Sequence, residues 1–373
     1  MFQTYLENEQ FNFQMNRFLE PYYEDSAIQE TVRRAAAQIV DTESWYETWT
    51  ALAGQADSDH RYGLAASYYQ LADFYLSEDD PRKRAVYGEF RANFYQTVDR
   101  SELEFSAVPY EGKALPCVRV SRHGAEKTLL FHGGFDSRLE ELISFSKQLD
   151  ALKEYNFIMF EGPGQGEAVR AGLALTPQWE KPVRAVLDYY RLERADLLGM
   201  SLGGYLCLRA AAFEPRIESV VAYDIMYSAF DSLTMKMDAS GKQLLGGINT
   251  EAGAVLIDKI FTKKAETDVD LAFKLKKTYD ITHTDQPSEM IKAVMQYTLD
   301  GIEDRITQDV LLLAGTHDQF VPFERYSLLK QRLVNAHSVT GEVFDERTGG
   351  EQHCQIGRKQ LAYDAIIRFL QRK

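Results

Sequence analysis

Residues 196–206 read DLLGMSLGGYL, and the fold turns on them. Leu197 and Leu198 close one apolar run, Gly203 and Gly204 open another, and Gly199, Ser201 and Gly203 between them make the pattern G-x-S-x-G. A serine on a sharp turn from strand to helix presents its hydroxyl at the positive end of that helix, beside the backbone N–H of the next residue, here Leu202. Flanking glycines let the strand and the helix approach closely enough for such a turn. The same five residues also suit a helix start rich in small side chains, so the context decides between the two readings.

The context is an alternation of strands and helices. From residue 103 onward short β-type runs lie between turn residues: LEFSAV (103–108), ALPCVRVS (114–121), TLLFHGG (128–134), NFIMFEGPG (156–164), ADLLGMS (195–201), IESVVAYD (217–224) and DVLLLAGTHD (309–318). Several are apolar throughout, as strands covered on both faces must be. The segments LEELISFSKQLDAL (139–152), KPVRAVLDYY (181–190) and GGYLCLRAAAF (203–213) carry helical spacing and supply that cover. The expected architecture is α/β, a mostly parallel sheet with helices on both faces. Four regions follow: a helical N-terminal region (1–102), a first part of the core (103–224), a helical cap insertion (225–305), and a second part of the core (306–373). The N-terminal region is read from AIQETVRRAAAQIV, RYGLAASYYQLADFYL and RKRAVYGEFRANFYQTV, whose apolar residues recur at three- and four-residue steps. Its many aromatic residues read as core rather than as a ligand stripe.

Composition narrows the function. The 373 residues carry a net charge of −14, which repels nucleic acid and anionic membranes at long range. Three widely spaced cysteines, Cys117, Cys207 and Cys354, make neither a disulfide framework nor a C-x-x-C metal site. No run of about 18 apolar residues and no leader-like N-terminus stand out, so a cytoplasmic protein is expected.

A serine nucleophile needs a base, and in this fold an acid and then a histidine follow it along the chain. Asp318 lies in the loop after LLLAG, and His353 lies in GGEQHCQIG ahead of the last helix. Of the other histidines, His60 and His123 precede the core, His132 belongs to an earlier loop and His283 to the insertion. His317 adjoins the acid, and His337 precedes the last short strand. The candidate triad is therefore Ser201, Asp318 and His353. The glycines of LLFHGGFDS allow the backbone N–H of Gly134 or Phe135 to join that of Leu202 as an oxyanion donor, with His132 bracing the loop. Asp224, at the end of SVVAYD, is a candidate second acid at the pocket mouth, or else a strand-end carboxylate that binds turn amides. EGPGQGE (161–167) has the spacing G-x-G-x-G rather than that of a dinucleotide loop, and neither a phosphate loop nor a zinc-binding H-E-x-x-H is present. No cofactor and no metal are expected.

HGGFDSRLEE, FEGPGQGE, GMSLGGYLCLRAAAFEPRI and GEQHCQIGRKQLA resemble the α/β-hydrolase superfamily. Within it they resemble the subfamily of 2,6-dihydroxypseudooxynicotine hydrolase and fungal polyketide-shortening hydrolases. The resemblance covers roughly residues 103–373, and it implies a capped pocket, a homodimer, and hydrolysis of a carbon–carbon bond next to a ketone in a small, largely apolar substrate. In that reaction Asp224 would protonate the carbanion-like leaving group. Carboxylesterase, acyltransferase and peptidase activities remain alternatives, as does a non-catalytic binding protein on the same fold.

Overall fold

In the computed structural model, which describes residues 1–372, the apolar runs form one eight-stranded sheet. The strands are β1 (Glu104–Tyr110), β2 (Lys113–Val120), β3 (Lys127–His132), β4 (Tyr155–Phe160), β5 (Ala195–Met200), β6 (Ile217–Tyr223), β7 (Asp309–Gly315) and β8 (Ser338–Phe344). Their order is β1-β2-β4-β3-β5-β6-β7-β8. β1 and β2 form an antiparallel hairpin through Glu111 and Gly112, both at positive φ, which matches the twist of the flanking strands. β2 and β4 are antiparallel, and all later neighbours are parallel.

Register carries the core across the sheet. Ile158 pairs with Leu130, Leu130 with Leu197, Leu197 with Val220, and Val220 with Val310, all five essentially inaccessible to water. Burying each aliphatic side chain of this row stabilises the fold by about 2 kcal/mol. The helices Leu139–Gln148, Glu180–Tyr190, Gly203–Ala211, Glu324–Arg332 and Gln360–Gln371 follow strands, as the alternation requires. The chain leaves β3 for β4 on one side and returns to β5 on the other. In open α/β sheets ligands bind at the carboxyl ends of the strands beside such a reversal.

Contacts divide the chain into two units. One comprises residues 1–101, 262–280 and 356–358, and the other holds the remainder, including the sheet. In the first unit, Asp41 begins the helix Thr42–Ser58 with a capping box: its carboxylate accepts the Ser44 N–H at 2.8 Å while Ser44 Oγ accepts the Asp41 N–H at 3.0 Å. Trp45 and Trp49, four residues apart on that helix, are fully buried, and the Trp45 indole N–H donates to the Leu71 carbonyl at 2.6 Å. Between β6 and β7 the chain forms the helices Ala229–Thr234, Ala239–Gly246, Glu251–Ala265, Val269–Thr282 and Pro287–Val294. The stretch 250–280, continuous in its helical spacing, is broken at Asp268, whose carboxylate accepts the Leu271 N–H and starts a new helix. Among the described residues no helix is long and apolar enough to cross a membrane, and Cys117, Cys207 and Cys354 are free and buried.

Lys83 is buried in the helical unit, where its ammonium donates to the Asp73 carbonyl at 2.7 Å and pairs with the Asp73 carboxylate at 3.1 Å. Removing one partner of a buried pair leaves the other charge without compensation. Lys83→Met is therefore expected to lower stability by about 3 kcal/mol, read by urea denaturation. A change within ±0.5 kcal/mol would show that the pair contributes nothing to the fold.

Candidate active site

Ser201 sits at the turn between β5 and the helix Gly203–Ala211 with φ of +61°, a left-handed backbone that side chains other than glycine rarely adopt. Close approach holds it there. A Cβ on Gly199 would lie 1.9 Å from the Gly203 carbonyl oxygen, and one on Gly204 would lie 1.8 Å from that of Asp224. The Ser201 N–H donates to the Tyr223 carbonyl at the end of β6, tying the turn to the neighbouring strand.

The residues expected to act with Ser201 converge on it. His353 Nε2 lies 2.8 Å from Ser201 Oγ, and His353 Nδ1 lies 2.6 Å from Asp318 Oδ2. The other Asp318 oxygen accepts the N–H groups of Phe320 and Val321 at 2.7 and 2.9 Å, which fixes the carboxylate in the loop after β7. The His353 loop is anchored to strand ends on both sides. The Tyr223 hydroxyl donates to the Cys354 carbonyl at 2.7 Å, and the His317 N–H donates to the Glu351 carbonyl at 2.8 Å. Phe320 packs edge-on against the imidazole, with centroids 4.9 Å apart.

Asp224 is not at the pocket mouth, where its place in the sequence put it. Its carboxylate is fully buried on the Nδ1 side of His353, 3.2 Å from that nitrogen, with the imidazole ring between it and Ser201. It also accepts the N–H groups of Ile225 at 2.8 Å and Cys354 at 3.3 Å, so it does bind turn amides. Burial lifts the Asp318 carboxyl to about 7, with the Asp224 charge adding to the rise. Burial also acts to raise Asp224, but hydrogen bonding with Asp318 and His353 outweighs it and holds Asp224 below the usual carboxylate range. Burial pulls His353 down, yet the adjoining carboxylates win and raise it well above the ordinary imidazole value.

Opposite the serine lies the loop after β3. A Cβ on Gly134 would stand 2.7 Å from the Leu202 nitrogen and 3.0 Å from Ser201 Cβ, so this backbone passes directly against the turn. Gln165, which is buried, sets its orientation: Nε2 donates to the carbonyls of both Gly133 and Gly134 at 2.9 Å, while Oε1 accepts the Gly162 N–H at 2.9 Å. In a trans peptide the N–H points opposite to the C=O, so the Gly134 and Phe135 amides face away from Gln165. The Gly134 N–H also meets Ser137 Oγ at 3.3 Å. Glu161, buried and lifted to about 7 chiefly by that burial, accepts the Leu139 N–H at 2.8 Å and the Glu167 N–H at 2.7 Å, pinning both loops.

Gln165 and Glu161 come from the EGPGQGE stretch. The informative signal was a polar cluster directly after a buried strand. Trp179 gave no signal at all, yet its indole N–H donates to His132 Nε2 at 3.0 Å. His132 Nδ1 therefore carries the proton and donates to the Gly133 carbonyl at 2.9 Å. Asp224, His353 and Cys354 place possible metal-ligand atoms within 4.8 Å of one another. The first two are engaged in the hydrogen bonds above, and burial keeps the Cys354 thiol protonated, so the cluster offers no open ligand set.

Known proteins resemble the chain in sequence and in fold. Residues 128–345 match the model of the alpha/beta hydrolase family. The chain is 30% identical over 326 residues to hydrolase acrC of Aspergillus aculeatus, covering 75% of each protein. It is 26% identical over 350 residues to 20-hydroxy-prefusarin hydrolase FUS2 of Gibberella moniliformis, covering 83% of this chain and 82% of that one. Among solved structures it is similar in fold to the 2,6-dihydroxy-pseudo-oxynicotine hydrolase, at a TM-score of 0.66 and 17% identity over 94% of both chains. It is also similar to AbyA5, at 0.68 and 18% over 97% and 95%.

Burial lowers the His132 pKa to about 4. Between about 6.5 and about 4 the unfolded chain binds a proton that the folded one refuses, so this residue's contribution to stability falls as pH falls through that window. Nitrogen NMR is expected to show His132 as the Nδ1-protonated tautomer with no titration above pH ~5. A midpoint near the ordinary 6.5 would contradict the buried neutral assignment.

Proposed function

The chain belongs to the alpha/beta hydrolase family, and from that premise we propose that it is a serine hydrolase acting on a small, largely apolar carbonyl compound. The observation that carries the proposal is the 2.8 Å contact between Ser201 Oγ and His353 Nε2, at a serine held in a left-handed turn. His353 takes the hydroxyl proton as Ser201 attacks the carbonyl carbon, and Asp318 keeps Nδ1–H facing away from the serine. The tetrahedral oxyanion is received by the N–H of Leu202, at the start of a helix, together with the N–H of Gly134 or Phe135. His353 returns its proton to the leaving group, and water resolves the acyl-enzyme by the same steps in reverse.

The bond we assign is an acyl bond: an ester, or the carbon–carbon bond beside a ketone. With Asp224 behind the imidazole, His353 Nε2 is the proton source for either leaving group. A relative named for 20-hydroxy-prefusarin, a discrete compound rather than a polymer, supports a small-molecule substrate. We assign the parts of the insertion that belong with the sheet, 225–261 and 281–305, to pocket cover. Two contacts support this: Ser232 Oγ donates to the Phe320 carbonyl at 2.7 Å, and Arg325 grips both oxygens of Asp231 at 2.7 and 2.6 Å. They fasten the start of the insertion to the segment that follows Asp318, whose Phe320 lies on His353.

Ser201→Ala, assayed on a panel of activated esters and β-diketones, is expected to lose about 10⁴-fold or more in kcat with an unchanged thermal midpoint. Near-native turnover would rule out the serine mechanism. Gln165→Leu keeps the side-chain bulk but removes both donations to the loop carbonyls. It is expected to lower kcat about 10²-fold with little change in KM, because oxyanion donors act on the transition state. A change confined to KM would place Gln165 outside that role.

A further inference from the structure

Two carboxylates converge on one imidazole nitrogen. His353 Nδ1 lies 2.6 Å from Asp318 Oδ2 and 3.2 Å from Asp224 Oδ2. Each carboxylate keeps one oxygen on backbone amides, Asp318 on Phe320 and Val321 and Asp224 on Ile225, and turns the other toward the ring. They come from different strand ends, β7 and β6, so neither loop alone fixes the pair.

We propose that Asp224 is a second orienting acid for His353, a positioning residue that shares the Nδ1–H with Asp318 and can hold the imidazole when Asp318 cannot. The inference rests on the serine-hydrolase reading, since it concerns the base of that reaction. Asp224 itself cannot touch substrate, because the imidazole lies between it and Ser201.

Charge makes the pairing consequential. Among the described residues neither carboxylate has a lysine or arginine partner, and His353 is the cation available to both. The groups facing the pair are His353, the protonated Cys354 thiol with its backbone N–H, and the amides of Ile225, Phe320 and Val321. Two carboxylates beside one imidazole in so dry a place repel each other, and each favours the imidazolium over the free base. When His353 takes the serine proton, the imidazolium forms against both carboxylates. The second carboxylate also raises the basicity of His353, so the free base becomes available only at higher pH.

The test measures kcat/KM on an activated p-nitrophenyl ester across pH for wild type, Asp318→Asn, Asp224→Asn and the double variant, with thermal midpoints as the control for folding. In a triad with a single acid, the Asp-to-Asn change costs about 10⁴-fold. Asp318→Asn is expected to stay within about 10²-fold of wild type and the double variant to fall by about 10⁴-fold. Asp224→Asn is expected to lose about 10-fold in kcat with KM unchanged and to move the inflection for the free base downward by about one pH unit. A residue that merely supported the loop would leave that inflection in place. Asp318→Asn as inactive as the double variant, or Asp224→Asn with the wild-type pH profile, would overturn the inference. If Asp224→Asn does not fold, the residual activity of Asp318→Asn decides alone. Activity surviving in Ser201→Ala would instead sink the serine reading, so the two failures are distinguishable.

Discussion

The carboxyl edge of the sheet depends on the backbone of one residue. Ser201 adopts φ of +61°, a conformation that costs a non-glycine residue about 1–3 kcal/mol and persists only where its surroundings over-determine it. Three constraints do so here. Gly199 lets strand and helix meet where a Cβ would overlap the Gly203 carbonyl, Gly204 packs against the Asp224 carbonyl, and the Ser201 N–H is committed to Tyr223. The same packing brings the ends of β5 and β6 together. It therefore places Asp224 and the Cys354 loop where His353 can reach the serine.

Beside this turn, a chain of hydrogen bonds between buried polar groups holds the loop after β3. Trp179 holds His132, His132 and Gln165 hold the Gly133 carbonyl, and Glu161 holds the segments that follow each loop. Each such bond contributes only about 1 kcal/mol net, but a partner left unsatisfied in the interior costs about 1–3 kcal/mol. The asymmetry favours a single arrangement of the loop, and in that arrangement two peptide N–H groups turn away from Gln165. Orientation of this kind must be established before the reaction, because preorganised donors need not reorganise as charge develops.

Much of this was legible in the sequence, for reasons that differ from residue to residue. The central strands could be read because runs such as TLLFH and DVLLLAG are buried on both faces and must be apolar throughout. Ser201, Asp318 and His353 could be named because chain order and turn glycines are properties of a sequence, and the structure brings them within hydrogen-bonding distance. The depth of a side chain is not such a property. Asp224 stands at a strand end in either reading, and only packing shows that it faces His353 from behind. The helix Glu9–Leu19 was obscured because Phe11, Phe13 and Met15 alternate with buried Asn12, Gln14 and Asn16. Asn12 and Asn16 face inward because both donate to the Gln3 carbonyl, a tertiary contact that overrides their polarity.

The central question is whether Ser201 is the activated nucleophile. The most direct measurement is reaction of the folded protein with a fluorophosphonate, followed by intact mass and peptide mapping. A single phosphonyl adduct on Ser201, formed by the native protein and not after denaturation, is the result this structure predicts. No adduct, or one on a residue other than Ser201, would contradict it.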